Sequence, residues 1–148
     1  MAAAVDDCRI LVVDDDPPLR KLLVAVLGRS RHAVVEGVTN GVEAIDALRD
    51  QPRWDVLVLD LMMPKMSGWD VLEWLAANRQ HVPRSTIVAS AANRKILQEL
   101  DPELVNAILF KPFDVMQVSA YVRAVCRLGS PDRRRARLIA EVPGSGAR

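Results

Sequence analysis

The run Val56-Leu57-Val58-Leu59, followed at once by Asp60, constrains this chain more than any other stretch. Four consecutive apolar residues leave no polar face, so the run suits a short strand covered on both sides. A lone acid at the end of such a strand cannot serve the core. In an open α/β sheet it lies outside the carboxyl ends of the strands, where these sheets place their chemistry. Upstream, Ile10-Leu11-Val12-Val13 runs into Asp14, Asp15 and Asp16 in the same manner. Two buried strands thus end in a cluster of acids without a local basic partner. Like charges held together are unfavourable unless a cation joins them. Oxygen-only ligands of high charge density select a hard ion such as Mg2+.

The rest of the chain alternates strand and helix. Strands are expected at 9–13, 32–38, 55–59, 85–89 and 107–110. Pro17 and Pro18 open a helix, where missing N–H groups cost nothing, and Gly28 stops it. Asn40 with Glu43, and Ser67 with Asp70, have the spacing of capping pairs and open two more helices. A short polar helix is expected over 93–100, halted near Pro102. Asp114 begins the last helix, with Val115, Val118, Val122 and Val125 on one face. Five strands alternating with helices give a parallel sheet with helices on both faces.

The chain has 148 residues, half of them apolar, which fits one domain with a full core. Its boundaries are read as an N-terminal extension at 1–8, a folded body at 9–127 and a basic, flexible tail at 128–148. The tail holds five arginines against Asp132 and Glu141, while the whole chain has a net charge of +1. A mildly acidic body does not favour nucleic acid as its ligand. Arg133-Arg134-Arg135-Ala136-Arg137 lacks aromatic interleaving and reads as a solvated tail. Cys8 and Cys126 have no metal spacing and cannot build a disulfide framework, so thiols in a reducing cytosol are expected. The N-terminus has no signal-peptide pattern, and no apolar run reaches membrane-spanning length. A cytoplasmic protein without membrane contact is the expectation.

Five features converge on the carboxyl edge of the expected sheet: Asp14, Asp15, Asp60, Ser90 and Lys111. Each alone has a plainer reading, as a helix cap, a turn serine or a solvated lysine. Jointly they fit phosphoryl transfer, which needs positioning and charge neutralisation more than covalent help. Asp60 is the expected nucleophile, forming an aspartyl phosphate. Asp14 and Asp15 are the expected Mg2+ ligands. Lys111 offers a point charge to one phosphoryl oxygen and Ser90 a hydroxyl to another. The Ser90 bond would exist only after phosphorylation, so it could draw the 90–92 loop inward.

With these residues in view, the chain resembles the receiver domain of two-component response regulators. The resemblance rests on Ile10-Leu11-Val12-Val13-Asp14-Asp15-Asp16-Pro17, Val58-Leu59-Asp60-Leu61-Met62-Met63-Pro64, Ser67-Gly68, Ser90-Ala91 and Lys111-Pro112-Phe113. It covers roughly residues 9–127, in family order and spacing. It implies a flavodoxin-like, doubly wound, five-stranded parallel sheet of order 2-1-3-4-5. It further implies phosphorylation of Asp60 by a sensor histidine kinase or histidine phosphotransfer protein, Mg2+ held by Asp14, Asp15, Asp60 and the Met62 carbonyl, and a cis Lys111–Pro112 bond. Such a chain is a chemotaxis-type, stand-alone switch that catalyses only its own Mg2+-dependent phosphorylation and dephosphorylation. With no room for an output domain after residue 128, it signals by contact with a downstream protein or by onward phosphotransfer. The implied contact face includes Arg94, Lys95, Ile108, Tyr121 and Arg123. Self-association into a homodimer stays open.

Some positions depart from the family pattern. Ile108 stands where the family's switch aromatic lies, with Phe110 displaced toward Lys111. Val105-Asn106-Ala107 replaces a Gly-Ala pair before strand five. Met62 and Ala92 occupy positions that tune dephosphorylation, and neither orients water well, which implies a long-lived phosphoryl group. Trp54, Trp69 and Trp74 read as core or rim residues, His32 and His81 as surface residues. Alternatives from other classes are a receiver-like adaptor that is never phosphorylated and a regulator binding nucleic acid through its Arg-rich tail. A haloacid-dehalogenase-type phosphatase needs a second acid where Met62 stands, and a flavodoxin needs a phosphate loop where Asp14–Asp16 stand.

Overall fold

The computed structural model describes residues 7–51, 53–91 and 95–128. Five strands, β1 (Cys8–Val13), β2 (Ala33–Val38), β3 (Val56–Asp60), β4 (Ser85–Ser90) and β5 (Ala107–Phe110), form one sheet of order β2-β1-β3-β4-β5. Every neighbouring pair is parallel. The helices are α1 (Pro17–Leu27), α2 (Gly41–Asp50), α3 (Gly68–Ala77), the single turn α4 (Ile96–Glu99) and α5 (Val115–Leu128). β3 is buried at every position, as its unbroken apolar run requires. The strand and helix expectations hold to within a few residues at most ends. The exception is the helix expected at 93–100: only 96–99 is helical, and Asn93 and Arg94 lie outside the described residues.

Local chemistry explains the helix starts. Prolines occupy the first two positions of α1, although Asp16 at its N-cap makes no side-chain capping bond. Ser67 and Asp70 form a complete capping box at α3. At α2 the pair is split: Asn40 accepts from the Glu43 N–H, whereas the Glu43 carboxylate accepts from the Thr39 N–H and hydroxyl. The Asp114 carboxylate accepts the Met116 N–H at the entrance of α5.

The sheet separates two apolar cores. One packs Leu11, Val13, Leu57, Leu59 and Val88 against α2 and α3. The other packs Ile10, Val12, Val56, Val58 and Ile87 against α1 and α5. Alternate side chains of one strand therefore serve opposite layers. Trp54 is core and donates its indole N–H to the Ala47 carbonyl. Trp69 and Trp74 are half-buried against the first core, and His32 is exposed. His81 is half-buried with its ring centroid 5.3 Å from that of Trp74. Asn106, just before β5, ties that strand's entrance to β4: its N–H donates to the Thr86 carbonyl and its side chain accepts the Thr86 N–H, both at 2.8 Å.

Two expectations are overturned. Cys8 and Cys126 are not separate thiols: they form a disulfide across a sequence separation of 118 residues. Packing of α5 beside β1 brings their Cα atoms to 5.7 Å, within bridging reach. Second, Ile108 cannot belong to a contact face, because it is 2% exposed and lies in the first core. Tyr121 is half-buried against the second core, which leaves Lys95 and Arg123 as the exposed, described members of that face. Residues 129–148, and with them the expected basic tail, lie outside the described residues, as do residues 1–6 of the expected extension. Among the described residues no helix is long and apolar enough to cross a membrane.

Candidate functional site

Parallel β1 and β3 end side by side, with Val13 in register with Leu59, so Asp14 and Asp60 leave the sheet as neighbours. β5 delivers Lys111 to the same edge, where its backbone N–H donates to the Ser90 carbonyl at 2.9 Å. The Lys111 Nζ lies 3.1 Å from Asp14 Oδ2 and 3.2 Å from Asp60 Oδ2. Asp14 and Asp60 are buried, whereas Asp15 is exposed beside them. Carboxylate oxygens of Asp14, Asp15 and Asp60 lie within 4.8 Å of one another. Three hard oxygen donors facing one point suit a small divalent cation. The acids, the lysine and the end of β4 that carries Ser90 thus share one edge.

Burial raises the Asp60 pKa above its ordinary value. The Lys111 charge and the Met62 N–H oppose that effect, while Asp14 adds to it. Burial alone would lower the Lys111 pKa, but Asp60 and Asp14 outweigh it and hold the ammonium above its ordinary value. Lys111 is thus a fixed cation bridging two acids.

The backbone around Asp60 is tightly built. Its Oδ1 accepts the Met62 N–H at 3.1 Å, which aims the carboxylate. Met62 itself is exposed. Lys65, in the β3–α3 loop, adopts φ 68°, a conformation rare for a non-glycine residue. Gly68 donates its N–H to the Leu61 carbonyl, and a Cβ there would collide with the Asp60 carbonyl oxygen. Only glycine lets α3 start so close to the acid. The Lys111–Pro112 bond is cis.

The sequence reading missed Arg20. Its Nη1 donates to the Asp14 carbonyl at 2.8 Å, fixing the β1–α1 turn from within α1. The Asp14 Oδ1 also accepts the Asp16 N–H at 2.9 Å, so the third acid of the run shapes the turn through its backbone. A basic residue on an amphipathic helix gives no signal of either contact. Ala92 lies outside the described residues.

Known proteins share this fold and much of this sequence. The family profile of the response regulator receiver domain matches residues 10–123. The response regulator MprA of Mycobacterium sp. strain KMS is 36% identical over 124 residues, which cover 84% of this chain and 53% of that protein. MprA of Mycobacterium leprae strain TN is 35% identical over 125 residues, with the same coverage. This chain therefore spans about half the length of the curated relatives it matches. Among solved structures, the signal receiver domain of a Luxo repressor protein from Vibrio parahaemolyticus superposes with a TM-score of 0.71 at 25% identity, covering 82% of this chain and 92% of that one. A CheY-like receiver domain protein from Methanospirillum hungatei gives 0.72 at 18% identity, over 83% and 96% of the two chains, and bears on the fold alone.

Proposed function

The chain belongs to the response regulator receiver family of two-component signalling, and we propose that it works as a switch through phosphorylation of Asp60. The observation that carries this reading is the contact of one lysine with two buried acids on the carboxyl edge of the sheet. An Asp60 carboxylate oxygen attacks the donor phosphorus. The bond to the donor's imidazole nitrogen, or to its acyl oxygen, breaks as the new O–P bond forms. A departing imidazole nitrogen takes its proton from solvent, whereas a departing carboxylate leaves as the anion. Asp14, Asp15 and Asp60 would hold a divalent cation, with Mg2+ the ion their oxygen donors fit, and by family resemblance the Met62 carbonyl would complete the set. When bound, the cation neutralises charge on the transferring phosphoryl oxygens.

Lys111 offers its ammonium to a phosphoryl oxygen, exchanging its contact with the Asp60 carboxylate for one with the phosphoryl group on it. Ser90, at the end of β4, supplies a hydroxyl to another oxygen and so couples the 90–92 loop to the phosphorylation state. The donor is a histidine kinase or histidine phosphotransfer protein. Output passes to a protein partner by contact or by onward phosphotransfer, and the catalytic groups serve the chain's own phosphorylation and dephosphorylation. Ile108 is core, so any change at the contact face is transmitted without an aromatic at that position. The exposed Met62 side chain has no group to orient a hydrolytic water, which favours a long-lived phosphoryl group. A lifetime of seconds would contradict that part of the proposal. Incubation with acetyl phosphate and Mg2+, followed by Phos-tag electrophoresis, tests the switch. A single shifted species that EDTA prevents is expected. No shift with acetyl phosphate or with any of several phosphorylated histidine kinases would overturn it.

A further inference from the structure

At the end of the sheet opposite the acids lies a cavity of about 650 Å³, floored by the Cys8–Cys126 disulfide and walled by the α1–β2 connection and α5. Its rim is cationic. Arg123 and Arg127 stand one turn apart on α5, flanking Cys126, and Arg29 faces them from the other wall. These arginines are exposed, and none forms an ion pair among the described residues. Among the described residues no carboxylate lines the cavity. His32, which lines the cavity, has the Oδ1 of Asp7 4.0 Å from its Nδ1, and that pair is exposed. The C-terminal dipole of α5, worth roughly half a negative charge, is small against three guanidinium groups. The cavity therefore attracts anions and places them on a cystine.

We infer that this cavity is an exchange site for small anionic thiols, which react with the Cys8–Cys126 disulfide at Cys126. Cys8 is 7% exposed at the buried start of β1, whereas Cys126 is half-buried on the cavity-facing side of α5. The entering thiolate attacks the Cys126 sulfur. The S–S bond to Cys8 breaks and its electron pair leaves with the Cys8 thiolate, which takes a proton from solvent. Departure toward Cys8 also keeps the new negative charge off the C-terminal turn of α5. A second thiolate then attacks the small-molecule sulfur of the mixed disulfide and releases the Cys126 thiolate. Two small thiols are oxidised to one disulfide while one protein cystine is reduced. Reduction removes the covalent tie between β1 and α5.

The test uses the full chain, oxidised with diamide, and two probes of similar size and thiol acidity: 2-mercaptoethanesulfonate and uncharged 2-mercaptoethanol. Opening is followed by quenching with N-ethylmaleimide and intact mass. Electrostatic attraction to the site predicts that the sulfonate reacts roughly tenfold faster at low salt, with the advantage fading as salt rises. In R123E/R127E, at two exposed positions, the order reverses. In R29Q/R123Q/R127Q the two rates converge. Peptide mapping of quenched intermediates finds the probe on Cys126. Equal rates for both probes in the wild type, unchanged rates in the charge variants, a probe on Cys8, or free thiols persisting after diamide would each overturn the inference.

Discussion

Asp55 and Asp60 stand at opposite ends of β3, almost equally buried, and their surroundings assign them opposite work. Asp55, just before the strand, accepts the Arg9 N–H at 2.8 Å and meets Arg53 at 3.3 Å and Arg84 at 3.2 Å. Its charge is surrounded by donors from three parts of the chain. Asp60 has one ammonium, which it shares with Asp14, and a third acid beside it. The first acid is a fastening. The second retains an excess of negative charge that only a cation or an incoming electrophile relieves. Burial alone does not identify a functional carboxylate; the balance of charge around it does.

The same contrast extends to the two ends of the sheet. The carboxyl edge gathers three acids beside one lysine, and the amino edge gathers arginines around a cystine. Four perturbations test how independent these ends are. The largest effect is expected from Asp60→Ala: complete loss of phosphorylation by acetyl phosphate on Phos-tag gels, while Asp55→Asn retains it. Phosphorylation that survives Asp60→Ala would remove the distinction between the two acids. Next is the cystine. A cross-link across 118 residues stabilises by about 2–5 kcal/mol. Reducing it with an uncharged phosphine should lower urea stability by that amount and leave phosphorylation at the other end intact. Loss of phosphorylation on reduction would show that the ends are coupled.

Third, Asp55→Ala removes the acceptor of the Arg9 N–H and one ion-pair contact from each of two half-exposed arginines, Arg53 and Arg84. A loss of about 2–3 kcal/mol in urea unfolding is expected, with the solvent-screened arginines contributing the smaller part. The smallest effect concerns pH. The folded state holds the Asp60 proton more tightly than the unfolded chain does. Its contribution is fully present below the ordinary carboxylate value of 3.8 and is lost as pH rises through the raised folded value. Asp60→Asn should therefore lack that fall and be more stable than wild type at neutral pH without divalent cations. Thermal unfolding across pH 3 to 8 checks the sign; a less stable Asp60→Asn at neutral pH would contradict it.

Much of this site was legible in the sequence because its signals are local. Each acid or lysine follows an apolar run, and strand ends in parallel sheets share an edge. Register then does the rest, placing Asp14 beside Asp60. The resemblance supplied strand order, which periodicity cannot. What stayed hidden depends on contacts between distant segments. Nothing around Cys8 points to Cys126, because only the packing of α5 against β1 joins them. Arg20 reads as an ordinary helical base until its guanidinium is seen on the Asp14 carbonyl. Ile108 was placed on the contact face by family position, whereas its apolar side chain follows the burial of β5. The role of Gly68 was visible as a motif, but its reason, the closeness of α3 to the Asp60 carbonyl, is purely spatial.

The most direct test of the central claim is chemical mapping of the phosphorylated residue. Borohydride reduces an aspartyl phosphate to homoserine, which peptide mass spectrometry locates. After phosphorylation in Mg2+, the account predicts homoserine at position 60 and at no other acid, with none in samples treated with EDTA. Homoserine at Asp14 or Asp15, or a phosphorylated chain whose Asp60 is unmodified, would contradict it.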